Sequence, residues 1–251
     1  MPRRGRSRVR LRGGRVKTAL GLALMLALAG APSAEACVLG VDVGHTAARP
    51  GATSARGAPE FLFNQALGRT ITAALRQDGR FGVVLINDDG TIGGLPQRPA
   101  AARAAGATVF LSIHHDSVQP HYLEPWTVQG RVAQHSERFS GFSVFISQSN
   151  SAPEASERWA RALGQALRQQ GFRPSLHHAE PIDGENRPLL DPALGLYRYD
   201  GLAVLRTAAM PAALLEAGII VNRDDELLLM QPQTRARLAQ AVVDALATVC
   251  R

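Results

Sequence analysis

The chain has 251 residues and a formal net charge of +7; 45% of its residues are hydrophobic and 20% are charged, as in a globular protein. The positive excess lies in residues 1–36, which hold eight of the 28 Lys and Arg residues and one of the 21 Asp and Glu residues, so that 20 of each sign remain in the rest. The positive charge of the whole chain is therefore no evidence for nucleic-acid binding, which requires a basic patch on the folded domain, and we expect no nucleic-acid partner.

The first 36 residues have the order of a secretory signal peptide. A basic segment, Arg3–Lys17, precedes an apolar run, Thr18–Ala31, and Ala34-Glu35-Ala36 then has the small-x-small pattern of a cleavage site. The alternative is a single membrane anchor, but the run is shorter than the ~20 residues that span a bilayer. We therefore expect residues 37–251 to form one periplasmic or secreted domain with no membrane span after cleavage.

The two cysteines, Cys37 and Cys250, stand at the two ends of this domain. Because an exported protein matures in an oxidising compartment, the pair predicts a disulfide that ties the first strand to the last helix. The alternative is two free, buried thiols.

The first half of the domain predicts alternating strands and helices. Residues 38–45 form a short apolar run that ends at glycine and His45, and Pro59 then opens a helix that Gly79 ends. The further elements of this half are a strand at 82–86, a helix at 98–105 and a strand at 109–114. This order predicts an α/β fold: a single domain with a twisted, mostly parallel central sheet and helices on both faces.

The second half is less regular. We interpret residues 116–140 as an insertion loop and residues 172–196 as a long surface connection. The predicted elements are strands at 142–146, 202–205 and 212–216, a helix at 154–170 and a last helix that Pro232 opens.

Two histidines and two glutamates fall where such a fold builds a site. His45 and His114 end strands, Glu216 ends a third strand, and Glu60 opens the first helix. Ligands in open α/β sheets bind beyond the carboxyl ends of the strands. His45, Glu60 and His114 form a two-histidine, one-carboxylate set suited to zinc, which leaves Glu216 as the proton shuttle.

Each of these residues also has a structural alternative. A single histidine after a strand is usually a hydrogen-bonded core or surface residue, Glu60 alone fits the positive end of a helix dipole, and Glu216 alone could be a paired structural carboxylate. His115 should point away from His114 in an extended chain. We interpret His177-His178 as a solvated loop pair, with the border of a substrate groove as the alternative. No serine or cysteine nucleophile motif, phosphate loop or organic-cofactor motif is present.

Four ordered motifs resemble those of the zinc-dependent N-acetylmuramoyl-L-alanine amidases, the cell-wall amidases of type 3: Asp42-Val43-Gly44-His45, Gly57-Ala58-Pro59-Glu60 with Asn64, Ser112-Ile113-His114, and Pro211 to Asn222. The resemblance implies one zinc ion on His45, Glu60 and His114, with Glu216 as the catalytic glutamate. It also implies hydrolysis of peptidoglycan at the amide between the lactyl group of N-acetylmuramic acid and L-alanine. The chain departs from the family at Val43, where proline is usual, and at Thr46-Ala47, where two glycines are usual.

Two rival functions and the question of regulation stay open. One rival is a zinc peptidase that cuts within the stem peptide, and the other is a non-catalytic wall-binding or division protein. Some amidases of this family carry a helix that covers the zinc until an activator protein moves it. The prolines between residues 119 and 140 argue against such a helix here, so an activator partner is undecided. We expect a monomer.

Overall fold

The computed structural model describes Arg10 and residues 37–250. The predicted signal peptide lies, apart from Arg10, outside the described residues, and its cleavage stays a prediction. Within the described part of the chain, no helix combines the length and the apolar character needed to cross a membrane.

Nine strands and six helices make up the domain. The strands are β1 Val38–Val43, β2 Gly82–Ile86, β3 Val109–Asp116, β4 Glu124–Val128, β5 Arg131–His135, β6 Ser143–Ile146, β7 Leu189–Asp191, β8 Leu196–Arg198 and β9 Ala212–Ile219. The helices are α1 Glu60–Asp78, α2 Gln97–Ala104, α3 Pro153–Gln169, α4 Ala203–Arg206, α5 Arg223–Met230 and α6 Pro232–Val249. Short 3₁₀ turns lie at Pro120–Tyr122 and His177–Ala179.

Seven of the strands form one sheet in the order β2-β1-β3-β9-β6-β8-β7. The pairs β1–β2, β1–β3, β3–β9 and β6–β8 are parallel, whereas β6 runs antiparallel to β9 and β7 runs antiparallel to β8. The predicted single domain with a mostly parallel sheet is confirmed.

Helices cover both faces of this sheet. Successive side chains of a strand point to opposite faces and therefore pack against different helices. On β3, Leu111 and Ile113 pack into a core with residues of α1, α3 and α6, while Phe110 packs on the other side with residues of α2 and α4. On α1, three apolar side chains are fully buried, and burial of each stabilises the fold by about 1.5–3 kcal/mol: Leu67, Ile71 and Leu75. The helix ends at Gly79, whose φ of 74° favours glycine.

The structure corrects three sequence predictions. The predicted loop at 116–140 contains the hairpin β4–β5, which the sequence hides because most of its side chains are exposed on both faces. The predicted strand at 202–205 is the short helix α4, since a four-residue apolar run has no period that separates strand from helix. The predicted connection at 172–196 contains β7 and the first residue of β8. In addition, the helix α5 has no counterpart among the predicted elements.

The predicted disulfide is present. It joins Cys37 to Cys250, whose Cα atoms are 5.9 Å apart, and it closes a loop of 213 residues between the start of β1 and the end of α6.

Candidate metal centre

The backbone at His45 is held in an unusual conformation by two side chains. The φ of His45 is 67°, in the left-handed region that few residues other than glycine adopt. Asn87 Nδ2 donates to the carbonyls of Val43 and His45 at 2.6 and 2.8 Å, and the Arg98 guanidinium donates to the same two carbonyls. Arg98 is buried and lies 3.5 Å from the buried carboxylate of Asp42. These contacts fix the turn that carries the imidazole.

Two glycines allow the side chains of the centre to approach one another. A Cβ atom added at Gly44 would lie 2.5 Å from His114 Nε2 and from the Ile113 carbonyl. A Cβ atom added at Gly51, where φ is 81°, would lie 2.3 Å from Glu60 Oε2. Neither position accepts a larger residue without displacing the groups beside it.

The structure brings His45, Glu60 and His114 together. Glu60 Oε2 lies 2.9 Å from His45 Nε2, and Glu60 Oε1 lies 3.1 Å from His114 Nδ1. One donor atom from each of the three residues lies within 4.8 Å of the other two. Burial raises the pKa of Glu60, but hydrogen bonds and charge interactions with His114 and His45 outweigh it and hold that pKa well below its usual value. The carboxylate is therefore ionised between two imidazoles.

Further hydrogen bonds orient the Glu60 carboxylate. The Ala52 amide donates to Oε2 at 3.1 Å, and Asn64 Nδ2 and the His115 amide donate to Oε1 at 3.0 and 3.2 Å. The His115 ring is itself buried, its Nδ1 is 2.7 Å from Asn64 Oδ1, and burial lowers its pKa to about 3. As expected for an extended chain, the His115 ring turns away from the three donor atoms and contacts Asn64 instead.

Glu216 lies beside this group on β9, where it pairs in register with His114 on β3. Its Oε2 is buried and has no hydrogen-bond partner among the described residues. Burial raises the pKa of Glu216 well above its usual value, and the charges of Asp116 and Glu60 raise it further. A buried carboxyl oxygen without a partner is available to a substrate or a water molecule.

A cleft of roughly 210 Å³ opens next to Glu216. Its lining includes aromatic, acidic and basic side chains: Phe145, His178, Glu185, Arg187 and Tyr199. The Arg187 guanidinium lies 3.8 Å from the centroid of the Tyr199 ring, which holds its charge at the cleft wall.

A second group of donor atoms was not predicted. Asp116 Oδ2 lies 2.8 Å from His178 Nε2 and 3.3 Å from His177 Nε2. His177 is only 2% exposed, so the interpretation of His177-His178 as a solvated loop pair is wrong. The available sequence signal was a pair of adjacent histidines in a long connection, but their partner Asp116 lies about 60 residues away in the chain.

The types of ligand atom in the two three-residue groups indicate which metal ions each group could hold. Imidazole nitrogen with a carboxylate oxygen suits zinc, and catalytic zinc sites use three protein ligands. His45, Glu60 and His114 fit that description, because their donors converge and a free carboxylate oxygen of Glu216 lies on the neighbouring strand. The second group has the same composition.

Comparison with known proteins supplies independent information. The family model described as N-acetylmuramoyl-L-alanine amidase (Amidase_3) matches residues 39–248. A curated relative, the probable N-acetylmuramoyl-L-alanine amidase AmiB of Haemophilus influenzae, is 24% identical over 234 residues, which are 83% of this chain and 51% of that protein. The chain thus spans about half the length of this relative.

Solved structures share the fold. The catalytic domain of CwlV, an N-acetylmuramoyl-L-alanine amidase from Bacillus (Paenibacillus) polymyxa var. colistinus, is 27% identical with a TM-score of 0.62, and the match covers 84% of this chain and 97% of that one. The amidase Ami1 of Mycobacterium smegmatis is 22% identical with a TM-score of 0.66, and covers 87% of this chain and 99% of its own.

Proposed function

This chain belongs to the N-acetylmuramoyl-L-alanine amidase family, and on that premise we propose that it hydrolyses peptidoglycan at the amide between the lactyl group of N-acetylmuramic acid and the L-alanine of the stem peptide. The observation that carries the proposal is the convergence of His45, Glu60 and His114 beside the unpaired carboxyl oxygen of Glu216. A metal-assisted hydrolase requires this combination of three ligands and one free acid-base group.

In the proposed site, His45, Glu60 and His114 hold one zinc ion. When bound, zinc polarises a carbonyl oxygen and lowers the pKa of a water molecule to roughly 7. The hydrogen bonds from Ala52 and Asn64 keep Glu60 in the orientation that reaches both imidazoles. Outer partners of this kind commonly account for 10–100-fold in metal affinity.

Glu216 is the proposed acid-base residue. Its carboxylate accepts a proton from the water that attacks the amide carbon, and the resulting acid donates that proton to the departing alanine nitrogen. The environment supports this exchange, because burial and the charges of two neighbouring carboxylates raise the pKa of Glu216 well above its usual value and so favour its protonated form as a proton donor. The cleft lined by Arg187 and Tyr199 extends from Glu216 and would receive the substrate beside the cleaved bond.

Digestion of purified peptidoglycan, followed by mass spectrometry, tests the function. If the protein is an amidase, the digestion should release intact stem peptides that begin with L-alanine, and a chelator should abolish this release. A zinc peptidase would instead release shortened stem peptides, and a non-catalytic wall-binding protein would bind the sacculi without releasing any peptide. Either result would overturn the proposal.

We also propose that the protein acts as a monomer outside the cytoplasm, since its family acts on the cell wall. The segment 117–140 forms a 3₁₀ turn and the hairpin β4–β5 and contains no long helix. A helix within this segment therefore does not cover the centre, and the partner that we leave possible is a separate activator protein. If an activator were required, the purified chain would leave sacculi intact until the second protein was added.

A further inference from the structure

The group formed by Asp116, His177 and His178 repeats the donor set of the first centre at nearly the same spacing. A single carboxylate oxygen, Asp116 Oδ2, lies 2.8 and 3.3 Å from the two imidazole nitrogens, whereas Glu60 meets His45 with Oε2 at 2.9 Å and His114 with Oε1 at 3.1 Å. One donor atom from each of the three residues again lies within 4.8 Å of the other two. The resemblance is geometric and does not depend on the amidase assignment.

The outward-facing atoms of the group are fixed by other partners. His177 Nδ1 lies 2.9 Å from Ser175 Oγ, and His178 Nδ1 lies 2.8 Å from Glu185 Oε2. The second oxygen of the carboxylate, Asp116 Oδ1, accepts the Ser117 amide at 2.8 Å. Metal-binding histidines characteristically donate their other ring nitrogen to a carboxylate or another acceptor, which directs the free nitrogen at the ion. Here Nε2 of both rings and Oδ2 are directed at one another.

The inner atoms of the group are shielded from solvent. His177 is only 2% exposed, and the side chains of His178 and Asp116 are each 13% exposed. His177 Nε2 lies 3.3 Å from Asp116 Oδ2 and makes no regular hydrogen bond among the described residues. A divalent ion could take a lone pair from each of the three inner donors and would thereby give His177 Nε2 a partner.

We propose that Asp116, His177 and His178 form a second site for a divalent transition-metal ion of the zinc type, separate from the site at His45, Glu60 and His114. Its ligands join the end of β3 to the 3₁₀ turn His177–Ala179. His178 and Glu185 line the cleft beside Glu216, so the ion would reach the site through that cleft and would hold its wall in place.

Zinc counting on purified protein tests the proposal. The metal-free protein is loaded with Zn²⁺, freed of excess ion by gel filtration and analysed by inductively coupled plasma mass spectrometry. We expect two zinc ions per wild-type chain, one in His178→Gln, one in His114→Gln and none in the double variant. His121→Gln, which changes an exposed histidine outside both groups, is the matched control and should retain two.

Two results would overturn the second site. One is a single zinc ion in the wild type that His114→Gln removes and His178→Gln does not. The other is two zinc ions in His178→Gln, which would place the second ion elsewhere. Circular dichroism verifies that each variant is folded.

A measurement on the unchanged protein covers the case in which a variant misfolds. When the metal-free wild type is titrated with Zn²⁺, nuclear magnetic resonance should show that the ring resonances of His177 and His178 shift as the second equivalent binds. Unchanged resonances of both rings at two equivalents would show that this group takes up no zinc. Neither measurement uses activity, so both results stand whichever bond the protein cleaves.

Discussion

Replacement of Glu216 by glutamine separates chemistry from metal binding. The substitution retains the shape of the side chain and removes only its ability to exchange a proton. Glu216 Oε2 has no hydrogen-bond partner among the described residues, so no internal contact of that oxygen is lost. We expect the Glu216→Gln protein to fold and to hold as much zinc at His45, Glu60 and His114 as the wild type does.

The expected loss of activity follows from the proposed role. General acid-base catalysis typically contributes 10²–10⁴-fold, so kcat should fall by that factor, or about 3–5 kcal/mol in the barrier. The free energy of unfolding of the metal-free protein, in contrast, should increase. A pKa that folding raises means that the ionised carboxylate opposes folding above the unfolded pKa, so the metal-free glutamine protein should be the more stable of the two at pH 7.

The assay combines release of stem peptides from sacculi, zinc content and thermal unfolding. Glu154→Gln, an exposed glutamate in the first turn of α3, is the matched control and should behave as the wild type in all three. A Glu216→Gln protein that retains more than a tenth of the wild-type kcat would refute the assignment. Loss of zinc together with activity would instead assign Glu216 to the metal ligands.

Four further predictions follow from the same contacts. Gly51→Ala places a Cβ atom against Glu60 at a positive φ, so we expect a loss of about 1–3 kcal/mol in stability and weaker zinc binding. Thermal melts and metal titration measure the two effects, and an unchanged zinc affinity would contradict the close contact between Gly51 and Glu60. Arg98→Met removes the cation beside the buried Asp42 carboxylate and one of the two donors to the carbonyls of Val43 and His45, and should cost about 3–5 kcal/mol in urea unfolding; a cost under about 1 kcal/mol would show that the remaining partners suffice. Cys37→Ser with Cys250→Ser opens a 213-residue loop and should cost at most about 5 kcal/mol, while activity at 25 °C persists. In the metal-free protein, the lowered pKa of Glu60 adds stability above its unfolded pKa that is lost as pH falls through the folded value, and Glu60→Gln should remove this acid dependence.

The central strands could be predicted because each is buried on both faces. Parallel strands under two helical layers have continuous apolar sequences, and β1, β3 and β9 all show such runs. These runs placed His45, His114 and Glu216 near the carboxyl ends of the strands, although β3 continues to Asp116 and β9 to Ile219. Glu60 followed from the proline that opens α1.

The remaining errors arise where contacts are distant in sequence or where one face is not buried. The hairpin β4–β5 is mostly exposed, so its strands lack the alternation that marks a half-buried sheet. The solvated interpretation of His177 and His178 failed because the residue that pairs with them, Asp116, belongs to another part of the chain. No local pattern records that contact.

The order of strands in the sheet explains how one acid can serve as a ligand and another as a base. His45 follows β1, His114 lies on β3 and Glu216 lies on β9, and these are consecutive strands of the sheet. Glu216 stands on the strand next to His114, and its Oε2 has no hydrogen-bond partner among the described residues, which leaves that oxygen free for proton transfer. Glu60 arrives from a helix and lies between the two imidazoles. The proposed division of roles therefore rests on contacts: Glu60 is engaged by both imidazoles, whereas Glu216 Oε2 is not engaged by any described residue.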